Sequence, residues 1–485
     1  MISARYDVAA RPAGRHEGLA RCLRPKAVIR ASARRRRLVA ALVILALAGP
    51  WSAPLAGYSV LSHEAVIDVV WDPVIKPLLL ERYPTASDAQ LREAHAYAYG
   101  GCVIQDMGYY PFGSHLFSDL THYVRAGDFI DALFEQAGNM YEYAFALGAL
   151  AHYAADTEGH PLAVNLAVPA TYPKLRRKFG SVVTYEQDPS AHIVVEFSFD
   201  VAQVAGSGYS PATYGDFIGF KVATGDLERA FEETYDVKLK DLFLSEDLAI
   251  GTYRRAASQI IPQMTKVAWK EKRDEILKAN PKATRKGFVY RLSRRDYQTR
   301  WGGTYRQPQF RRALWGQSET EPGLLARFLV FLARILPKIG PLRTLQFKPP
   351  TPQTQALFLA SFKVVVQRYT TLARKGPAEG DRTLVNDDLD TGKPAVLGEY
   401  GLADKTYARL LDRLAAQKFS GLTPALQQNL LGFFKNTSTR NAIENDPKEW
   451  QKVLGELAAL RDAPAEPFAS PQPASHHATS AIPLP

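Results

Sequence analysis

Apolar and polar positions recur at helical spacing over most of the chain. Residues 86–104 are rich in alanine and follow a helical pattern. The segment MYEYAFALGALAHYAADTEGH, residues 140–160, has alanine and large apolar residues at the same intervals. Helical patterns return over residues 351–462, on either side of the polar loop NDDLDTGKP at 386–394. In DPSAHIVVEFSFD, residues 188–200, the run IVVEFSF fits a strand as well as a helix.

Two further segments depart from this pattern. Leu324–Leu336 is strongly apolar but contains Arg327 and Arg334, which argues against a membrane span and favours a buried helix over one lying at a membrane interface. Residues 266–315 hold fifteen Lys or Arg against four acids, interleaved with aromatic residues. Such a segment suits nucleic-acid backbones or anionic lipid headgroups, and it is equally typical of a solvated, irregular surface.

The charge of the chain is concentrated near its beginning. The 485 residues carry a formal charge of +11, and residues 1–57, with eleven Arg or Lys and two acids, account for +9 of it. Arg34–Arg37 precede the apolar run Leu38–Gly49, and small residues follow up to Gly57. This order is typical of an export signal, with an N-terminal membrane anchor as the alternative. We therefore expect an exported protein, periplasmic or secreted, whose mature chain begins at Tyr58.

Histidine and acidic residues are paired at four-residue steps in two places. His152 and Asp156 are four apart, and so are His192 and Glu196, so each pair shares one face of a helix. His160 extends the face of the first pair. Imidazole and carboxylate donors that converge in this way suit a metal ion, and zinc is the usual occupant. The alternative for one such pair is a core histidine with a capping aspartate, but the repetition favours a metal site.

Other candidate ligands precede these pairs. Asp106 is followed sixteen residues later by His122, and His115 and Asp119 lie between them as weaker candidates. His63 is the sixth residue of a chain that begins at Tyr58, so the free amine of Tyr58 could reach a metal ion that His63 also binds. Cys102 is the only cysteine after the leader, which excludes an intramolecular disulfide in the mature chain. No Gly-rich phosphate loop and no Ser-His-Asp motif is found.

Taken together, these residues resemble the zinc-dependent phospholipase C family, which is related to the single-strand-specific zinc nucleases. The resemblance covers about residues 58–265 and lies in the order of the ligands. It implies an all-α fold with the multi-helix core of this family, and the helical pattern of residues 351–462 predicts a helical C-terminal extension. It also implies three zinc ions, with a ligand set of nine residues: Tyr58, His63, Asp106, His122, His152, Asp156, His160, His192 and Glu196.

The resemblance also implies roles for single residues. Asp156 would bridge two ions, and His160 would share a third with His192 and Glu196. Asp106 would orient or deprotonate the attacking water. Tyr109, Tyr110 and Phe112 could line a substrate pocket, although core packing explains them equally well. The chain departs from the family in having Tyr58 where tryptophan is usual and a four-residue step from Asp156 to His160.

These observations predict an exported zinc phosphodiesterase that hydrolyses phospholipid at a membrane surface. A nuclease on the same scaffold and a zinc-stabilised binding protein without turnover are the alternatives, and no protein partner is inferred. The expected organisation is a leader (1–57), a phospholipase C-like domain (58–265), a basic-aromatic segment with an apolar helix (266–350), a helical region (351–462) and a disordered tail (463–485).

Overall fold

The structure is a computed structural model, and it describes residues 59–205, 220–255, 272–275, 277–278, 348–375 and 384–468. Tyr58, the leader, Leu324–Leu336 and residues 469–485 lie outside these ranges, as does nearly all of the basic-aromatic segment 266–315. The predictions made for these parts of the chain stay predictions.

The described regular structure is helical except for one short strand pair, which confirms the expected all-α class. The first eleven α-helices lie within residues 60–255: α1 Val60–Val70, α2 Lys76–Arg82, α3 Asp88–Gly101, α4 His115–Tyr123, α5 Ala126–Gln136, α6 Met140–Gly159, α7 Asn165–Thr171, α8 Pro173–Phe179, α9 Pro189–Ala205, α10 Thr224–Tyr235 and α11 Glu246–Arg255.

The C-terminal part has four more helices and the strand pair: α12 Pro352–Arg374, β1 Asp387–Asp388, β2 Lys393–Pro394, α13 Gly401–Ala416, α14 Pro424–Phe433 and α15 Pro447–Asp462. Shorter turns of helix connect these elements, namely π turns at Trp71–Ile75 and His160–Val164 and 3₁₀ turns at Ile104–Tyr109, Leu239–Leu242 and Ile443–Asn445. The helical alternative for IVVEFSF is the one adopted, since α9 contains it.

Helix α6 lies at the centre of the core. The side chain of Asn139 caps its first turn by accepting hydrogen bonds from the N–H groups of Tyr141 and Glu142. Gly148 packs so closely on α3 that a Cβ added to it would lie 2.1 Å from the Ala98 carbonyl oxygen. Only glycine allows this approach, which brings the side chains at the C-terminal end of α6 next to those that follow α3.

The C-terminal helices pack on the same core as the first eleven. Helix α12 lies along α6, α13 packs on α4, and α15 packs on α13. Residues 463–468, which the sequence assigns to the tail, form no helix or strand, and the Glu466 N–H donates to the Leu422 carbonyl oxygen. None of the described helices combines the length and the apolar composition that a membrane crossing requires.

Candidate metal centre

Eight buried histidine and acidic side chains meet in three groups that could each hold a metal ion. We name them the Asp106 group (Asp106, His122, His152), the His63 group (His63, His152, Asp156) and the His160 group (His160, His192, Glu196). Within each group the candidate donor atoms all lie within 4.8 Å of one another. Eight of the nine residues predicted as ligands are therefore brought together, and the ninth, Tyr58, lies outside the described residues.

Asp156 belongs to the His63 group and also lies next to His122 of the Asp106 group. Its Oδ1 is 3.4 Å from His63 Nε2, and its Oδ2 is 3.1 Å from His152 Nε2 and 3.5 Å from His122 Nε2. Two ligands of one tetrahedral zinc ion lie about 3.4 Å apart, given metal–ligand distances of about 2.0–2.2 Å. The two oxygens of Asp156 therefore have the separations expected of a carboxylate that bridges two ions.

Ser118 fixes the position of Asp106 relative to His122. Its hydroxyl accepts from the Gly108 N–H at 2.9 Å and donates to the Gln105 carbonyl oxygen at 2.5 Å, which holds the 3₁₀ turn of Asp106 against α4. The Ser118 carbonyl oxygen accepts from His122 Nδ1 at 2.7 Å. His122 Nε2 is thereby left to face Asp106 Oδ1, 3.5 Å away.

A backbone carbonyl also sets the orientation of His152. Its Nδ1 donates to the Cys102 carbonyl oxygen at 3.0 Å, so its Nε2 faces Asp156 and His122. Cys102 itself is buried and free. This carbonyl belongs to the turn after α3, which explains why the close packing of α3 on α6 matters for the centre.

The position of His63 depends on a buried acid from another helix. Asp200 in α9 accepts hydrogen bonds from the N–H groups of Leu61 and Ser62 and from the Ser62 hydroxyl. It thus caps the first turn of α1, which carries His63. Burial raises the pKa of Asp200 to about 6, against the opposing effect of these donors.

The His160 group is assembled from the π turn after α6 and from α9. His160 begins the π turn, a distortion of the α-helix that is frequent at functional sites. His192 Nε2 donates to the Val183 carbonyl oxygen at 2.6 Å, so its Nδ1 faces Glu196 Oε1, 3.7 Å away. The four-residue step from Asp156 to His160 is thus compatible with a third group.

The donor atoms of these groups fit metal ions. Eight of them are buried and have no hydrogen-bond partner among the described residues: Asp106 Oδ1, Asp156 Oδ1 and Oδ2, His160 Nδ1 and Nε2, His192 Nδ1, and Glu196 Oε1 and Oε2. An unsatisfied buried polar atom costs about 1–3 kcal/mol, and more if it is charged. Cations at the three groups would satisfy these atoms together, and sets of imidazole and carboxylate donors suit zinc.

Burial and the carboxylates of Asp106 and Asp156 shift the pKa values of the side chains in these groups. Burial lowers the pKa of His122, but its contacts with Asp106 and Asp156 outweigh burial and raise that pKa well above its usual value. Burial raises the pKa of Asp156, but His152 and His122 hold it well below its usual range. Burial also lowers the pKa of His63. A bound cation would neutralise the same carboxylates, so metal binding is expected to displace a proton from His122.

The three aromatic residues predicted to line a substrate pocket have different surroundings. Tyr109 is buried beside His122, with ring centroids 6.0 Å apart. Tyr110 packs edge-on against Tyr253 in the hydrophobic core, and Phe112 is 55% exposed in a left-handed conformation with φ 63°. Tyr109 is the one next to the metal groups, and the role predicted for Tyr110 and Phe112 gains no support from their positions.

The two weaker ligand candidates lie outside the three groups, whereas Asp390, which was not predicted as a ligand, lies beside one of them. Asp119 pairs with Arg409 at 2.6 Å and His115 is exposed, and neither belongs to the three groups. Asp390, in the loop before β2, lies 3.5 Å from His160 Nε2 through its Oδ1. The sequence of this loop carries no functional signal, because a polar turn with three acids is ordinary on a surface.

The three groups lie in a segment of the chain that matches a known protein family. Residues 63–244 match the model of the family described as zinc dependent phospholipase C. Residues 63–244 belong to this family. The match begins at His63 and includes all eight residues of the three groups, and the family consists of phosphodiester hydrolases, so the chain is an enzyme of this kind. No curated protein and no solved structure was found to match the chain.

Proposed function

We propose that the protein is an exported zinc-dependent phosphodiesterase that hydrolyses phospholipids at the bond between glycerol and phosphate. The observation that carries the proposal is the meeting of three buried donor groups within the segment that matches the phospholipase C family. A single structural zinc site needs only four ligands, so eight converging donors favour a catalytic centre.

We further propose that the centre holds three zinc ions. The Asp106 group and the His63 group share His152 and are joined by Asp156, and the His160 group is separate. Zinc at such groups lowers the pKa of a water molecule toward 7, polarises the phosphoryl oxygens and stabilises the leaving oxygen. The reaction needs no covalent intermediate with the protein.

In this proposal Asp106 acts as the base. Its Oδ1 is buried, has no hydrogen-bond partner and is directed toward His122. That atom would orient the attacking water and take its proton, while the water oxygen bonds to phosphorus and the bond between phosphorus and the glycerol oxygen breaks. Solvent water would supply the proton that the glycerol oxygen takes up, and Asp106 would return its own proton to solvent. Tyr109, next to His122, would bound the space in which the phosphate is held.

The proposal that the protein is exported rests only on the sequence of the leader, residues 1–57. Phospholipid is the proposed substrate because it is the substrate class of the matched family. Nuclease activity on the same scaffold was suggested by the basic-aromatic segment 266–315. That segment lies almost entirely outside the described residues, so the site gives no separate reason to prefer a nuclease.

The test is a direct comparison of substrates with the mature chain, which begins at Tyr58 and is loaded with zinc. Phosphatidylcholine, phosphatidylethanolamine and phosphatidylglycerol vesicles are compared with single-stranded DNA, with Asp106→Asn as the inactive control. Release of diacylglycerol together with the phosphorylated headgroup is expected. Cleavage of DNA without release of diacylglycerol would refute the proposed substrate, and absence of turnover on both would refute the proposed activity.

A further inference from the structure

A loop from the C-terminal part of the chain reaches the His160 group. The family match ends at residue 244, yet residues 384–394 contact α4 and α6, which carry residues of the metal groups. The Leu389 N–H donates to the carbonyl oxygen of His122 at 3.1 Å, and the Tyr153 hydroxyl donates to the Val385 carbonyl oxygen at 2.7 Å. The loop is therefore bonded to α4 and α6 directly.

A glycine and an asparagine fix the loop where it passes the π turn. Gly392 has φ +65°, and a Cβ added there would lie 2.3 Å from the Thr157 carbonyl oxygen, so both the conformation and the spacing require glycine. The Asn165 side chain, just after the π turn, donates to the Asp390 carbonyl oxygen at 2.9 Å. These contacts determine the direction of the Asp390 side chain.

The two oxygens of Asp390 have different surroundings. Its Oδ2 accepts hydrogen bonds from the hydroxyls of Tyr123 and Tyr400, at 2.9 and 2.5 Å. Its Oδ1 is buried, has no hydrogen-bond partner in the part of the chain that the structure describes, and lies 3.5 Å from His160 Nε2. A carboxylate held by donors on one oxygen and directed into a metal group by the other is the usual arrangement of a metal ligand.

An ordinary ion pair explains these contacts less well. In a charge-assisted hydrogen bond the nitrogen and oxygen lie about 2.7–2.9 Å apart. Asp390 and His160 are both fully buried, and no described residue forms a hydrogen bond with either ring nitrogen of His160. A separation of 3.5 Å is too long for such a bond, but it matches the separation of about 3.4 Å expected for two ligands of one zinc ion.

We propose that Asp390 is a protein ligand of the metal ion held by the His160 group, a role that rests on the metal occupancy proposed above. The family segment supplies His160, His192 and Glu196, and the C-terminal loop supplies the fourth donor. The region beyond the family match is then part of the metal centre, and this ion is more enclosed by protein than three ligands alone would make it.

The first experiment measures metal retention in full-length mature protein without any substrate. Asp390→Asn is compared with wild type and with Asp387→Asn, a matched control in the same loop whose carboxylate contacts Tyr153 and Arg368 instead. Zinc content is followed by elemental analysis after dialysis against increasing chelator. We expect Asp390→Asn to lose one ion of three at chelator concentrations at least about 10-fold lower than wild type, and Asp387→Asn to retain it.

The second experiment asks whether side chain 390 touches the metal. Asp390→Cys and Asp387→Cys are loaded with Co²⁺, and the near-ultraviolet spectrum is recorded for each variant and for wild type. The wild-type spectrum gives the contribution of Cys102, which all three proteins contain. A thiolate bound to Co²⁺ gives an intense charge-transfer band, so we expect that band in Asp390→Cys alone. The thiolate is also a ligand for this ion, so the variant should regain the metal that Asp390→Asn loses.

The outcomes separate this proposal from the proposed function. Unchanged metal retention in Asp390→Asn, together with full loading and no new band in Asp390→Cys, would overturn the role of Asp390 even if wild type hydrolyses phospholipid. Three ions, the weakened third ion and the new band in a protein without phospholipid turnover would support Asp390 and refute the substrate. A wild-type chain that retains no ion at the His160 group would refute both the third ion and its fourth ligand.

Discussion

His63 and His152 stack with ring centroids 4.2 Å apart and an interplanar angle of 14°. They come from α1 and α6 and are 89 positions apart in the sequence, and they face different oxygens of Asp156. Two protonated imidazoles would repel each other at this distance, and His152 accordingly contributes to the lowered pKa of His63. The stacked pair is therefore suited to neutral rings that donate electron pairs to cations.

The first prediction concerns Asp156, the carboxylate shared by two metal groups. Asp156→Asn keeps the shape but removes the charge that faces three imidazoles, so both ions would be left under-neutralised. We expect zinc content to fall by one to two ions and turnover to fall by more than about 100-fold, since loss of an outer partner alone costs 10–100-fold. Elemental analysis and headgroup release measure the two effects.

Asp119→Asn is the matched control for this change. Asp119 lies on α4 near His122, but it forms a partly exposed ion pair with Arg409 and belongs to none of the three groups. Removing such a pair costs about 0–1 kcal/mol, so zinc content should be unchanged. Full zinc and near-normal turnover in Asp156→Asn would mean that this carboxylate is only structural.

The second prediction concerns Ser118, which has no contact with a metal in our proposal. Ser118→Ala leaves the Gly108 N–H and the Gln105 carbonyl oxygen without their shared partner inside the core. We expect a loss of about 1–3 kcal/mol in the free energy of unfolding and faster zinc loss, because Asp106 and His122 lose their common support. Urea denaturation and chelator kinetics measure these effects.

Ser198→Ala is the control for the serine hydroxyl itself. Ser198 is also buried, on α9, but its hydroxyl bonds only to the Val194 carbonyl oxygen of its own helix. It should change stability by less than Ser118→Ala and leave the rate of zinc loss unaltered. Equal rates of zinc loss in the two variants would contradict a positioning role for Ser118.

The pattern of the sequence predicts most of the helices and the candidate ligands. It does not predict most of the contacts that hold these ligands in place. His152 with Asp156 and His192 with Glu196 were visible because a helix puts positions four apart on one face. The contacts of Asp200 with Ser62 and of the Cys102 carbonyl with His152 span 138 and 50 positions, and those of Ser118 cross the loop before α4. No helical period encodes such contacts. Asp390 is the clearest case, since its partner His160 is 230 positions away in a different part of the sequence.

The third prediction is a pH dependence that arises far from the ligands. Burial, with a contribution from Glu142 and against Arg229, raises the pKa of Asp226 to about 8. In the unfolded chain this group ionises near its ordinary value of about 3.9. Between pH 4 and 8 the unfolded state releases a proton that the folded state retains, so the free energy of unfolding falls as pH rises and levels off above about pH 8.

Asp226→Asn removes this titrating carboxyl group and leaves every other charged side chain in place. The stability of the variant relative to wild type should therefore rise from pH 5 to pH 8 by at least about 1 kcal/mol, since one pKa unit corresponds to about 1.4 kcal/mol. Thermal or urea denaturation at several pH values gives the difference, and subtraction cancels the effect of metal binding common to both proteins. A difference independent of pH would show that Asp226 is ionised in the folded state at pH 5.

The fourth prediction concerns the beginning of the mature chain. Asp200 holds the N–H groups of Leu61 and Ser62, and Ser59 is buried two residues before Leu61. His63 Nε2 lies 3.4 Å from Asp156 Oδ1. Ser59, the residue after Tyr58, is therefore held at the beginning of the helix that carries His63.

If the amine of Tyr58 binds a metal ion together with His63, activity depends on the position of cleavage. In the uncleaved chain Tyr58 has an amide nitrogen, which is a poor metal donor, so the precursor should be nearly inactive and bind one ion less. We compare the zinc content and turnover of three chains, which begin at Tyr58, at Ser59, or with one extra residue before Tyr58. Asp200→Asn is also made in the chain that begins at Tyr58, to loosen the first turn of α1. Only the chain that begins at Tyr58 should be fully loaded and active, and Asp200→Asn should weaken its metal retention. Equal zinc content and equal turnover in the three chains would show that His63 binds without the chain terminus.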